Sequence, residues 1–138
     1  MRFLLLSLLM STFSVSCSSD GTSNPYKSVA AGDRHTCLLR TSGGLWCFGD
    51  DSDGQASAPS TDFDTVSAGG SHTCGVTTEA GIECWGNDDS GQATPPEGTF
   101  MNVSAGRDHT CGLTTEKTIA CWGKNNDGQA TPPEGTFV

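Results

Sequence analysis

The chain repeats itself with a period of 37 residues. Three units span 26–62, 63–99 and 100–136, and the last two align without gaps. Each unit has one histidine at the same position: His35, His72 and His109. Each also has a Gly-Gln-Ala run, beginning at Gly54, Gly91 and Gly128. A period of this length is typical of stacked supersecondary units, none of which buries its apolar face alone.

Short strands are predicted in every unit. The third repeat predicts strands over 101–105, 109–113 and 119–122, separated by turn residues. No segment after residue 16 has a sustained helical period, and the chain contains 18 glycines and 6 prolines. The sequence therefore predicts an all-β chain of three consecutive antiparallel units.

Six of the seven cysteines occur as one pair per repeat, ten positions apart. In an antiparallel hairpin whose turn is centred on Ser42, Glu79 or Glu116, the two cysteines of a pair face each other at a distance that a disulfide bridges. The predicted disulfides are Cys37–Cys47, Cys74–Cys84 and Cys111–Cys121. Cystine pairs of this kind indicate an oxidising compartment.

Metal binding is the competing interpretation of these residues. Each repeat offers only one histidine and two cysteines, without a fourth zinc ligand or the close spacing of a zinc knuckle. The acidic turn 50–54 suggests calcium, but the equivalent turns at 87–91 and 124–128 lose its carboxylate spacing. Turn chemistry explains these residues, so we predict no metal and no other cofactor.

The first 16 residues predict an export signal. Arg2 precedes an apolar run over 3–10 and a small-residue cleavage site over 14–16. The following Cys17 and polar stretch resemble a bacterial lipoprotein signal, in which the cysteine becomes the lipidated first residue. Ser14 departs from that pattern, which prefers an aliphatic residue there, and an ordinary signal-peptidase site would instead give a secreted protein. We expect 17–25 to be a polar tether after a lipidated Cys17, the one cysteine outside the repeats.

The chain is acidic, and removal of the signal leaves six basic and sixteen acidic residues, a net charge of −10. An acidic chain without a basic stripe has nothing to neutralise phosphates. We therefore predict no nucleic-acid partner, and membrane contact only through a lipid anchor.

The order VSAG…HTC…CWG.N..GQ resembles the regulator-of-chromosome-condensation repeat. The matching positions of the third repeat are Val103, Ala105, Gly106, His109, Thr110, Leu113, Trp122, Gly123, Gly128 and Gln129. The first repeat departs with Phe48 in place of the tryptophan. The resemblance implies that each repeat is one small antiparallel blade of a β-propeller.

Three repeats and the start of a fourth at residues 137–138 are fewer blades than a closed propeller needs. We therefore expect an incomplete ring or open arc, self-association that closes a ring, or a fragment of a longer propeller. The family's nucleotide-exchange activity is not expected of an exported acidic chain.

Positions that vary among the repeats are the candidate partner contacts: Asp33, Arg34, Trp46, Arg107 and Asp108. Trp46 suits either a contact anchor or packing beside Phe48. The three histidines are expected to form structural hydrogen bonds, and no catalytic motif is present. We predict a non-catalytic scaffold of the cell envelope that binds a protein or glycan. The alternatives are a non-functional fragment and an inhibitor of a secreted enzyme.

Overall fold

A computed structural model describes residues 25–137. The expected signal peptide, Cys17 and nearly all of the expected tether lie outside the described residues. The strands are β1 (Tyr26–Ala31), β2 (His35–Arg40), β3 (Leu45–Gly49), β4 (Phe63–Ala68), β5 (His72–Thr77), β6 (Ile82–Gly86), β7 (Phe100–Ala105), β8 (His109–Thr114) and β9 (Ile119–Gly123). The described part of the chain contains no helix, and hence none long and apolar enough to cross a membrane.

The strands form three antiparallel sheets, ordered β1-β2-β3, β4-β5-β6 and β7-β8-β9. We call these sheets blade 1, blade 2 and blade 3. They form an open arc of propeller blades, which confirms the predicted all-β fold class. The observed strands agree with the predicted ones to within one residue at each end.

The predicted disulfides are present in all three blades. The two cysteines of each pair are opposite each other on adjacent strands, with Cα atoms 4.0 to 4.1 Å apart. Each hairpin turn is therefore centred at the residue that the spacing of the cysteines predicted: Ser42, Glu79 and Glu116. Each bridge ties the second strand of its blade to the third.

Successive side chains of a strand point to opposite sides of the sheet, so each blade has two faces. The forward face, toward the next repeat, carries the histidine, both cysteines and an aliphatic residue such as Val76. The backward face of blades 2 and 3 carries a phenylalanine, a threonine and a tryptophan, and blade 1 has Tyr26, Thr36 and Phe48 at these positions. The apolar core between blades 2 and 3 shows this pairing, because Cys74 and Val76 pack against Phe100 and Val103.

The hairpin turn between the second and third strands of each blade contains one residue with a positive φ. Gly43, Ala80 and Lys117 occupy equivalent positions with φ of 98°, 65° and 64°. Each of these turns also accepts a hydrogen bond from the first residue of the following repeat: Phe63 N–H donates to the Gly43 carbonyl, and Phe100 N–H to the Ala80 carbonyl. The turn thereby fixes where the next blade begins.

Candidate binding cleft and blade interfaces

Each histidine with a following blade binds a threonine of that blade. His35 Nε2 lies 2.7 Å from Thr73 Oγ1, and His72 Nε2 lies 2.8 Å from Thr110 Oγ1. Both histidines and both threonines are almost fully buried. The expected structural role is therefore confirmed for His35 and His72.

The main-chain carbonyl oxygen of the glutamine in each repeat accepts two further hydrogen bonds at the same interface. The Gln55 carbonyl accepts from Thr73 Oγ1 at 2.9 Å and from Trp85 Nε1 at 3.0 Å. One period later, the Gln92 carbonyl accepts from Thr110 Oγ1 at 3.0 Å and from Trp122 Nε1 at 2.9 Å. The threonine and tryptophan positions of the repeat are thus explained by contacts between blades. The glutamine side chains act within their own turns, where Gln55 Oε1 accepts from Asp53 N–H at 2.9 Å and Gln92 Oε1 from Ser90 N–H at 2.8 Å.

Burial keeps the ring of His72 neutral. Desolvation is the largest cause, and His35 adds repulsion, so that the pKa of His72 falls from 6.5 to about 4. Desolvation also lowers the pKa of His35, against the opposing effect of Asp50. The Nδ1 atoms of His35 and His72 are buried without a hydrogen-bond partner. These rings are structural parts of the interfaces and are not accessible to a ligand.

The loops between the first and second strands of the three blades lie close together, at the same end of the strands. Gly70 N–H donates to the Arg107 carbonyl at 3.0 Å, and Asp33 N–H to the Gly69 carbonyl at 3.3 Å. A Cβ added to Gly69 would lie 2.5 Å from the Gly106 carbonyl oxygen, so a glycine is needed for this close approach. The residues beside these glycines are the ones that vary among the repeats.

Four of the five candidate partner contacts meet in one cleft of about 300 Å³. Its lining is formed by Asp33, Arg34, Asp50, Ser52, Asp53, Gly70, Ser71, Arg107 and Asp108. All three blades contribute to this surface, which we call the loop cleft. Its charged groups are four carboxylates and two guanidinium groups, so the cleft is acidic.

The charges of the loop cleft are accessible to a ligand. Arg107 Nε lies 3.7 Å from Asp33 Oδ2, with most of both side chains in solvent, and so links blade 3 to blade 1 across the cleft. Lys124 Nζ lies 3.5 Å from Asp108 Oδ2. Exposed pairs of this kind contribute about 0–1 kcal/mol, so a ligand displaces them at little cost.

Trp46 lies away from the loop cleft, on the backward face of blade 1. Its ring centroid is 5.5 Å from that of Phe48, and the two side chains are 51% and 47% exposed. Trp46 therefore packs beside Phe48, which was one of the two interpretations of this residue; the other was a contact anchor for a partner. Phe48, which corresponds to the interface tryptophans, is exposed because no described blade precedes it.

The acidic turn that suggested calcium is held by hydrogen bonds of its own. Asp51 accepts from Ala56 N–H at 2.8 Å and from Ser57 Oγ at 2.7 Å, which lowers the pKa of that carboxyl group. Asp88 forms the same two contacts in the second repeat. Within residues 25–137, no group of three or more His, Cys, Asp or Glu side chains is placed to hold a metal ion.

Two features of the site were not predicted, although the sequence contains a signal for each. Thr73 and Thr110 recur directly after the histidines, and this period identifies them as interface residues. Leu38 replaces the glycine of the other two repeats, at Gly75 and Gly112, and is opposite Trp46 in the sheet. The second signal marks the backward face of blade 1 as different from the others.

These repeated three-stranded blades, with their histidine–threonine and tryptophan–carbonyl contacts, define a protein of the β-propeller class. The sequence profile of the Regulator of chromosome condensation (RCC1) repeat matches residues 26–55, 63–92 and 102–129. The chain belongs to the RCC1 repeat family. No curated protein matches it significantly.

Solved propellers resemble this chain over part of their length. The CRINKLY WD40 ectodomain of the Arabidopsis thaliana receptor kinase ACR4 is 30% identical, with a TM-score of 0.63 over 71% of this chain and 38% of that one. The ectodomain of the Physcomitrella patens receptor kinase CR4 is 32% identical, with a TM-score of 0.64 over 72% of this chain and 29% of that one. Prp20p from Saccharomyces cerevisiae, described with its binding to Gsp1p and histones, is 16% identical, with a TM-score of 0.66 over 82% of this chain and 34% of that one. This chain therefore spans about a third of the length of these structures.

Proposed function

We propose that this chain is a non-catalytic binding scaffold that recognises a partner protein through the loop cleft. The observation that carries the proposal is the convergence of the variable residues from all three repeats on one accessible surface. The framework residues, by contrast, are occupied by contacts between blades. Variable loops on a rigid framework are the usual arrangement of a binding protein.

The chemistry of the cleft favours a protein ligand with basic side chains. Four carboxylates attract lysine or arginine, while Arg34 and Arg107 suit a carboxylate of the same ligand. The cleft has no aromatic side chain in its lining, and hence no ring on which a sugar stacks. A surface glycan is therefore the less favoured ligand.

The experiment is affinity capture from an envelope extract with a matched pair of charge variants. Asp50→Asn with Asp53→Asn removes two charges from the loop cleft. Asp62→Asn with Glu79→Gln removes two charges from a groove beside the hairpin turn of blade 2, at the other end of the strands. We expect the wild type and the second variant to capture the same protein ligand in similar amounts. The amount captured by the first variant should be at least tenfold lower.

Retention by all three proteins, or no captured ligand, would contradict the proposal. A ligand that survives protease digestion and is destroyed by periodate would be a glycan, which would also contradict it. Both variants keep the buried residues of the blade interfaces, and between blades the first changes only the exposed contact in which Asn87 Nδ2 donates to Asp53 Oδ1 at 3.4 Å. Circular dichroism before capture checks that both variants are folded.

We further propose that the chain is exported and anchored to a bacterial envelope through Cys17. Three disulfides and the resemblance to ectodomains support an extracellular location. Lipidation predicts that the wild type partitions into detergent and that Cys17→Ser moves to the aqueous phase. If mass spectrometry shows an unmodified N-terminal peptide for the wild type, the protein is secreted without an anchor.

A further inference from the structure

We infer that the groove beside the hairpin turn of blade 2 binds a small organic cation through its primary ammonium groups. This groove, which we call the hairpin groove, has a volume of about 290 Å³. Its lining consists of three carboxylates and three threonines: Asp62, Glu79, Glu83, Thr61, Thr77 and Thr78. No basic side chain belongs to this lining, and none of its carboxylates forms an ion pair within the described part of the chain. The hairpin groove therefore concentrates negative charge that no described side chain balances.

The hydroxyl group of Thr77 is a second, independent indication of a ligand. Thr77 is only 8% exposed and lines the groove, but its Oγ1 has no hydrogen-bond partner among the described residues. In blade 3 the equivalent Thr114 Oγ1 lies 2.8 Å from Thr118 Oγ1 and accepts from Thr118 N–H at 3.1 Å. Gly81 replaces Thr118 in blade 2, and a Cβ built on it would lie 3.6 Å from Thr77 Oγ1, so the missing side chain leaves this oxygen open to the groove. Enclosed hydroxyl groups are normally paired, so this one is suited to accept a hydrogen bond from a ligand.

The carboxylates of the hairpin groove do not belong to the common framework of the repeats. In the third repeat Thr99 replaces Asp62, and Ala120 replaces Glu83. A contact between two hydroxyl groups is formed there instead, since Thr99 Oγ1 lies 2.6 Å from Thr115 Oγ1. Blade 3 forms the same three-stranded sheet without these two carboxylates, so the fold does not require them.

The other two blades also have a basic residue where blade 2 has none. Lys117 stands at the position of Ala80, and Arg40 at the position of Thr77. The differences between blade 2 and its neighbours therefore act in one direction. They add negative charge, remove positive charge and leave a hydroxyl group free to accept.

The chemistry of the hairpin groove fits an alkylammonium ligand. A primary ammonium group has three N–H donors and no acceptor, whereas carboxylates and threonine hydroxyls offer acceptors. Hydrogen bonds from such a cation to carboxylates are charge-assisted and therefore strong. A metal ion suits the groove less well, because residues 25–137 contain no group of three or more His, Cys, Asp or Glu side chains placed to hold one. Carboxylates that do not converge on one point match a diamine, whose two charges are separated by a carbon chain.

Isothermal titration calorimetry of the purified protein with 1,4-diaminobutane tests this inference. At about 0.1 M salt, which screens diffuse attraction between exposed charges, we expect a single saturable site. The fully N-methylated diamine has the same charge but no N–H group, and it should bind about tenfold more weakly or worse. Calcium chloride at the concentration of the diamine should not displace it. Absence of a saturable site, equal binding of the two diamines or displacement by calcium would overturn the inference.

Substitutions taken from the third repeat test the position of the site. Asp62→Thr with Glu83→Ala removes two carboxylates and should weaken binding of the diamine by about tenfold or more. Gly81→Thr keeps every charge but gives Thr77 Oγ1 the partner that Thr114 Oγ1 has, and it should weaken binding by about three- to tenfold. Unchanged affinity in either variant would count against the site. The third repeat carries these residues in the same fold, so both variants should fold, which circular dichroism checks.

Glu97→Gln with Glu134→Gln is the control for net charge. Both side chains are exposed and neither lines the hairpin groove, so the affinity for the diamine should stay within about twofold of the wild type. A loss equal to that of the groove variant would mean that the diamine responds only to overall charge, which would also overturn the inference. The capture experiment on the loop cleft is a separate test. Its second variant, Asp62→Asn with Glu79→Gln, should lose the diamine and still capture the protein ligand.

Discussion

His72 is the residue whose protonation most affects the folded state. The pKa of its ring is about 4 in the folded chain and 6.5 when unfolded. Between these values the unfolded chain binds a proton that the folded chain excludes. The stabilisation is therefore complete above pH 6.5 and is lost progressively as the pH falls toward 4.

Urea unfolding at several pH values between 7 and 4 measures this loss. We expect the free energy of unfolding to fall by a few kcal/mol across this range. His72→Gln cannot be protonated and should make the profile flatter, although it lowers stability at pH 7. His109→Gln is the matched control, because that half-buried ring binds no threonine of a described blade. Equal flattening by both variants would contradict a special role for His72.

Thr110 has the hydroxyl group on which the interface between blades 2 and 3 depends. It contacts His72 Nε2 and donates to the Gln92 carbonyl, so Thr110→Val leaves the buried His72 Nε2 without its partner and leaves the Gln92 carbonyl with the Trp122 indole alone. We expect a loss of about 1–3 kcal/mol in chemical unfolding. Thr36→Val is the control, since no described blade covers that face, and it should cost less than about 0.5 kcal/mol.

At the scale of the element, the hairpin turns contain removable strain. Ala80 and Lys117 adopt positive φ, which glycine adopts readily and which Gly43 already supplies in blade 1. We expect Lys117→Gly to raise the free energy of unfolding by about 0.5–1 kcal/mol, despite the greater freedom of glycine in the unfolded chain. The reverse change, Gly43→Ala, should be destabilising, because its Cβ would lie 2.8 Å from Asp62 Cβ. Unfolding in guanidinium measures both, and a stabilising Gly43→Ala would contradict this explanation.

The strands and disulfides were predictable because local chemistry determines them. Two cysteines ten residues apart about a turn fix the register of the hairpin, and the third repeat predicted its strands to within one residue. The partners of Thr73 and Gln55 were not predictable in the same way. They are formed between blades and depend on how two sheets pack, which the pattern within one repeat does not specify.

At the scale of the whole molecule, the loop cleft was predictable only in part. Variation among repeats identified Asp33, Arg34, Arg107 and Asp108, but it did not show that they share one surface. It also selected Trp46, which the fold places on the backward face of blade 1. Asp50 and Asp53, which were predicted as turn residues, line the cleft because the turn after β3 lies beside the loop between β1 and β2.

The position of blade 2 between two neighbours predicts an uneven distribution of stability. All six residues of β5 are buried, whereas β2 and β8 alternate between buried and more exposed positions. In a stacked array the terminal units open more often than a central one, since each has only one interface. We expect the amides of β5 to exchange with solvent roughly tenfold more slowly than those of β2 and β8 in hydrogen-exchange mass spectrometry. Equal exchange in all three strands would mean that the arc opens as a single cooperative unit, in which the interfaces are at least as stable as the blades they join.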